Sequence, residues 1–161
     1  MKHFQPSTHE GHPRQGAGCM ILSRRTGRFL FCLRPEAVPS GGTWAIWGGK
    51  GEAGESPAET ALREVGEETG YHYGGPLLHL HHSRHGNFRY DTFLIDVADE
   101  FAPAPSLEWE RFEWAAPGEF PEPMHWGLKS LLSDGTALRL LSNEYWRRTG
   151  RGCDFPALAE D

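Results

Sequence analysis

Cysteine is scarce in this chain. The three present, Cys19, Cys32 and Cys153, are too scattered for a disulfide framework or a zinc site. Cys19 and Cys32 fall in apolar stretches, where a cysteine thiol behaves as a small hydrophobe, and usage of this kind fits a reducing, cytoplasmic setting. No apolar run approaches the roughly 18 residues of a membrane span, and the N-terminus lacks a signal-peptide pattern, so neither insertion nor secretion is expected. Positive charge is also short. Sixteen Lys and Arg against 22 Asp and Glu leave a formal net charge of -6, and no basic run exceeds Arg24–Arg25 or Arg147–Arg148. An extended nucleic acid needs a basic surface, so the acidic balance argues against that partner. It leaves room for a small nucleotide whose phosphates are bridged by metal ions. Internal repeats and low-complexity segments are absent as well, and 161 residues suffice for one domain with a sizeable core.

What is present is concentrated between Gly48 and Tyr71, in GGKGEAGESPAETALREVGEETGY. Ser56 is a good N-cap, Pro57 suits the first helical position and Glu59 completes a capping box. Gly70 supplies a left-handed stop. In the helix so bounded, Ala58, Ala61, Leu62 and Val65 recur at i, i+3, i+4 and i+7 and make one apolar face. Glu64, Glu67 and Glu68 share an adjacent face. At ~6 Å and an effective dielectric of ~20 each pair of carboxylates costs on the order of 3 kcal/mol. Arg63 offsets part of one charge, not three. A hard divalent cation with oxygen ligands removes the conflict, and Mg2+ is the usual one where phosphates are also bound. The alternative is a solvated acidic helix face. Against it stand Gly48, Gly49, Gly51 and Gly54, which let the backbone approach a metal or ligand, and Lys50, a positive charge for phosphate.

The pattern G-x5-E-x7-R-E-U-x-E-E-x-G-U, with U a bulky apolar residue, is filled by Gly49, Glu55, Arg63, Glu64, Val65, Glu67, Glu68, Gly70 and Tyr71. It resembles the signature of the Nudix hydrolases, which cleave nucleoside diphosphates linked to another moiety. Tyr71 departs from the usual aliphatic residue, and Trp47 stands where many relatives carry Pro before the paired glycines. The resemblance implies an α/β fold, a Nudix-type α/β/α sandwich around a mixed β-sheet. It also implies a site in which the Gly48 carbonyl, Glu64, Glu67 and Glu68 coordinate Mg2+, with Mn2+ as a substitute. Arg63 orients a carboxylate of that cluster, and Arg63, Glu64 and Glu67 form the catalytic set. Glu55 supports the loop. Glu108, ahead of Trp114 in SLEWERFEW, falls where relatives place a further ligand or general base. Arg34 and Lys50 sit where MutT-type enzymes contact phosphate. Which glutamate acts as the base stays open.

The flanking chain reads as follows. Residues 1–15 form a polar, flexible arm, 16–133 the catalytic domain, and 134–161 an extension partly docked through Trp146 and Phe155. Strands are expected over Ala17–Ser23, Arg28–Arg34, Thr43–Trp47, Leu77–Arg84, Phe88–Val97 and Leu107–Ala115, with a helix over Met124–Leu132 ended by Asp134–Gly135. Strand alternation places His79 and His81 on one face and His82 on the other, a polar surface strand and not a three-ligand metal site.

These residues point to Mg2+-dependent hydrolysis of a pyrophosphate bond, with a nucleoside or deoxynucleoside triphosphate as the expected substrate. ADP-ribose-cleaving relatives carry a Pro beyond the signature where this chain has His85, Gly86 and Asn87, and the Tyr of diadenosine-polyphosphate relatives is near Tyr90 but not at it. The alternatives are ADP-ribose, a dinucleoside polyphosphate, an RNA end, or a nucleotide-sensing domain that does not cleave.

Overall fold

The structure is a computed structural model and describes residues 14–153 and Phe155. Its elements run β1 (Arg14–Ser23), β2 (Phe29–Leu33), β3 (Trp44–Ala45), β4 (Trp47–Lys50), α1 (Pro57–Thr69), β5 (Leu78–His85), β6 (Phe88–Val97), β7 (Arg111–Ala115), α2 (Trp126–Leu132) and α3 (Gly135–Thr149). Ten register pairs, from Arg14 with Phe88 to Ser23 with Val97, join β1 and β6 in parallel. The other ladders between these strands are antiparallel, so the sheet is mixed, as expected. The other edge of β1 is shared. Gly16–Cys19 pair with β4, while Ile21 and Leu22 pair with β2. Between β3 and β4 the chain crosses from one partner to the other at Ile46.

Alternation along β1 sends its side chains to two cores. Ala17, Cys19 and Ile21 meet Trp47, Phe93, Ile95 and the α1 residues Ala61 and Val65. Met20 and Leu22 meet Phe29, Phe31, Leu94 and the inner faces of α2 and α3. This is a sheet between helices, the α/β/α arrangement the sequence implies. Helix α1 starts and stops as its sequence dictates: Ser56 accepts the Glu59 N–H, Glu59 reaches back to the Ser56 N–H, and Gly70 takes φ 76°. Tyr71 fills its apolar slot by stacking on Phe101 at 5.0 Å.

Several boundaries differ from expectation. Thr43–Trp47 is not one strand, and the paired glycines lie inside β4 instead of a loop, because β4 pairs Gly48 and Gly49 with Gly18 and Ala17 of β1. Leu107 is fully exposed, Leu107 and Glu108 form a turn, and the strand begins only at Arg111. The helix expected from Met124 begins at Trp126, with His125 as its cap. β1 begins at Arg14, inside the stretch read as an arm, and the rest of that stretch lies outside the described residues.

The largest difference is α3. Asp134 was expected to close a helix, but it opens one by accepting the Thr136 and Ala137 N–H groups. Ala137, Leu138, Leu141 and Tyr145 then line the inner face, and Tyr145 donates from Oη to the Gly27 carbonyl at 2.8 Å. Phe155 packs against Phe29 and Tyr145. Trp146 does not dock, being 62% exposed.

The histidine strand also departs from simple alternation. The β5–β6 register shifts between His79 and His81, so a bulge at Leu80 turns His79 and His82 to the same side. Both imidazoles meet Asp91 Oδ1, at 2.8 and 3.0 Å. His81 is buried on the other side, between Asp134 Oδ2 at 2.9 Å and Ser130 Oγ at 3.0 Å.

Leu141 is fully buried. Leu141→Ala should cost about 2–5 kcal/mol, measured by urea denaturation. A cost below about 0.5 kcal/mol, typical of a surface change, would show that α3 is not part of the cooperative core.

Candidate active site

Helix α1 and strand β4 meet where glycine permits it. A Cβ on Gly49 would stand 2.7 Å from the Glu64 carboxylate, so only a residue without a side chain lets that carboxylate lie against the strand. Arg63 secures the approach. Its Nε and Nη2 bind Glu55 at 2.8 and 3.0 Å, its Nη2 also reaches the Lys50 carbonyl at 2.9 Å, and its Nη1 meets Glu64 at 3.0 Å and Glu67 at 3.1 Å. One planar fork thus ties the loop, the strand end and the helix together. Glu55 in turn accepts the Glu52 N–H and the Thr60 hydroxyl. The Arg63 guanidinium, followed by the Glu52 N–H, holds its carboxyl down at about 2. Glu55 supports the loop, as expected.

Glu64, Glu68 and Glu108 form the one acidic or histidine group among the described residues whose ligand atoms all lie within 4.8 Å of one another. Glu64 and Glu68 are buried and Glu108 is exposed. Glu108 arrives from a turn fixed on both sides. Its own N–H donates to Ser106 Oγ, and the neighbouring Trp109 indole donates to the Glu68 carbonyl at 2.9 Å while packing edge-on against Trp47. Burial is the main cause that lifts the Glu68 carboxyl well above the usual range, and the Glu64 carboxyl, hydrogen-bonded to it, adds to the effect, as does Glu108. Burial raises Glu64 as well, against the pull of Arg63. Three crowded carboxylates, two of them out of water and only Glu64 paired with Arg63, are a hard-oxygen donor set of the kind a divalent cation takes.

A cavity of about 460 Å³ opens beside this group. Gly48, Gly49, Lys50 and Arg34 line one part of it, and Phe88, Tyr90, His125 and Trp126 another. Gly18 and Gly48 admit the Tyr90 ring, since a Cβ on either would run into its hydroxyl. His125 and Trp126 reach the cavity because Trp44 exchanges backbone bonds with their segment: its N–H donates to the Pro123 carbonyl and its carbonyl accepts the His125 N–H. Arg34 is braced by two bonds to the Pro39 carbonyl, at 2.9 and 3.2 Å.

Of the residues expected from sequence, Glu64, Glu68 and Glu108 come together, and Gly48, Lys50 and Arg34 face the adjoining cavity. Glu67 does not join the three. It is half-exposed on the outer flank of α1, turned to Arg63. The sequence reading did not place Tyr90, His125 and Trp126 in the site, and the structure brings all three to the cavity. Tyr90 was weighed only as a subfamily marker, and Trp126 as a base-stacking surface or core, with core preferred. The usable signal for His125 was its place just ahead of an apolar helical run, where a side-chain acceptor caps a helix.

A family model described as "NUDIX domain" matches residues 12–134. A curated relative from Bacillus subtilis (strain 168), described as "Putative 8-oxo-dGTP diphosphatase", is 27% identical over 108 residues, covering 66% of this chain and 69% of the relative. The crystal structure of a MutT NUDIX hydrolase from Burkholderia pseudomallei is 26% identical with a TM-score of 0.62, covering 71% of this chain and 92% of that one. RenU, a Nudix hydrolase from M. smegmatis, shares the fold with a TM-score of 0.64 at 22% identity, over 82% of this chain and 86% of its own.

The raised carboxyls give a pH test. A carboxyl whose folded value lies above its unfolded one contributes stability below the unfolded value and loses it as pH rises through the folded one. Between pH 7 and 8, His125 is neutral in the folded protein, with its value lowered by burial to about 4, and the lowered acids Glu55, Asp99, Glu100, Asp134 and Glu144 are ionised. In EDTA, stability should therefore fall across that window, by at most about 1.4 kcal/mol per pH unit for one proton. Saturating Mg2+ should raise Tm by on the order of 5 °C, and Glu68→Gln should remove most of both effects. Differential scanning calorimetry checks each. A pH-independent Tm in EDTA together with no metal shift would overturn the assignment of the cluster.

Proposed function

The chain belongs to the Nudix family and is a pyrophosphohydrolase, and on that premise we propose that it hydrolyses a free nucleoside or deoxynucleoside triphosphate at Glu64, Glu68 and Glu108. The observation that carries the proposal is the junction of the three-carboxylate group with the 460 Å³ cavity. Phosphate chemistry and a space of nucleoside size share one wall, Gly48–Gly49. The relative described as an 8-oxo-dGTP diphosphatase supports a triphosphate.

Nudix hydrolases use a divalent metal, and in this chain Glu64, Glu68 and Glu108 would hold it. When bound, such an ion neutralises phosphate charge and lowers the pKa of attacking water. The protein's own groups do the rest. Arg63 fixes the Glu64 carboxylate against Gly49, so the donor set is preorganised before substrate arrives. Lys50 and Arg34 present positive charge to the phosphate chain at the cavity mouth. Phe88, Tyr90 and Trp126 offer aromatic faces to a base. His125 supplies a directional contact. Its Nδ1 accepts the Gly127 N–H at 3.1 Å, and burial followed by the Arg34 charge keeps it neutral. The proton therefore sits on Nε2, where it can be donated to a base acceptor.

A panel of nucleotides with Mg2+ and with Mn2+, products identified, tests the substrate. A kcat/KM for ADP-ribose or a dinucleoside polyphosphate tenfold above that of every triphosphate, about 1.4 kcal/mol in transition-state binding, would overturn the reading. Glu68→Gln should keep the fold and lower kcat by about two orders of magnitude or more. His125→Ala should raise KM for the best triphosphate by roughly tenfold with little change in kcat, the signature of uniform binding. An unchanged KM would remove His125 from the base contacts.

A further inference from the structure

On the β5–β6 hairpin, Arg84 and Arg89 are direct register partners, so their side chains leave the same face of the sheet side by side. Neither makes an ion pair or a side-chain hydrogen bond among the described residues, whereas Arg24, Arg25, Arg28, Arg63, Arg147 and Arg148 are all paired with carboxylates. Arg89 Nε is buried without a partner. The acidic side chain nearest in register on that face, Asp91, is engaged by His79 and His82. Like charges set opposite each other in a sheet are destabilising, and a buried orphan N–H on a charged group is costlier still. Between the two arginines the hairpin turn leaves a cavity of about 200 Å³, lined by Arg84, Gly86, Asn87 and Arg89.

We propose that this cavity is a binding site for a small phosphate anion, orthophosphate or pyrophosphate, held between the Arg84 and Arg89 guanidiniums. Two planar forks match a tetrahedral oxyanion. The Asn87 amide adds donors on the rim, and the volume suits an anion of this size and excludes a nucleoside. The site is distinct from the cavity beside the carboxylate group. Phe88 and Tyr90 line that cavity, and Arg89, between them in the strand, points to the opposite face. An anion there removes the repulsion across the hairpin and gives Arg89 Nε its acceptor. Such a site lets the phosphate released by a pyrophosphohydrolase act on the protein away from the place where it is made.

Thermal denaturation in EDTA with added sodium pyrophosphate or phosphate tests this, against sodium chloride at matched ionic strength. Pyrophosphate at about 10 mM should raise the wild-type Tm by on the order of 3 °C, with saturation. The double variant Arg84→Gln, Arg89→Gln should lose the shift, and Arg34→Gln, Lys50→Gln should keep it. Arg84→Gln alone, at an exposed position, should lower pyrophosphate affinity about tenfold in calorimetry even if the double variant folds poorly. The proposal fails if chloride reproduces the shift, if the wild type shows none, or if the shift is lost in the Arg34 and Lys50 variant and kept in the hairpin variants.

Discussion

Glu64 and Glu68 are held out of water beside each other, and the surrounding structure is arranged around the electrostatic cost of doing so. Gly49 leaves the room, Arg63 supplies a counter-charge to Glu64, Glu55 fixes Arg63, and the Trp109 indole pins the end of the helix. None of these contacts neutralises both carboxylates. The fold gives up local stability at one point, and the capping box and the core that α1 shares with the sheet stabilise the helix from outside the site.

The adjoining cavity works by a different rule. One end carries the fixed charges of Arg34 and Lys50, while the other is aromatic and holds one neutral imidazole whose tautomer is set by a backbone N–H. Affinity from stacked rings tolerates many bases, and discrimination comes from the few polar groups that must be matched. In this chain the segment His125–Trp126 hangs on β3 through the main chain of Trp44. On the proposed function, selectivity for the base is attached to one edge of the sheet, and the chemistry to α1.

Much of the fold and of the acidic site was legible in the sequence because local rules governed it. Ser56, Pro57, Glu59 and Gly70 bound α1 by capping chemistry that acts within a turn, and Glu64 and Glu68 follow from helical spacing. Glu108 was legible only through the family resemblance, since a turn brings it in from far along the chain. Reading failed where pairing overrode pattern. Leu80 bulges, which no alternation rule anticipates, and exchanges the partners of three histidines. Gly48 and Gly49 look like loop residues and are strand residues because β1 pairs Gly18 and Ala17 with them. Helix α3 was missed because Asp134–Gly135 serves equally as an ending and as a beginning, and only the inner face of Leu138, Leu141 and Tyr145 decides between them.

The parallel pairing of β1 with β6 has a consequence for how the chain is made. β1 gains its β2 and β4 neighbours early, but one whole edge waits for a strand about seventy residues further on. At translation rates of roughly 5–20 residues per second, that edge stays bare for on the order of 4–15 s. Its central residues, Ala17 to Leu22, are among the most apolar in the protein, and an apolar strand edge left open is a template for pairing with another chain. The interval in which the nascent protein most needs shielding therefore ends when Val97 has emerged, well before the helices that complete the second core.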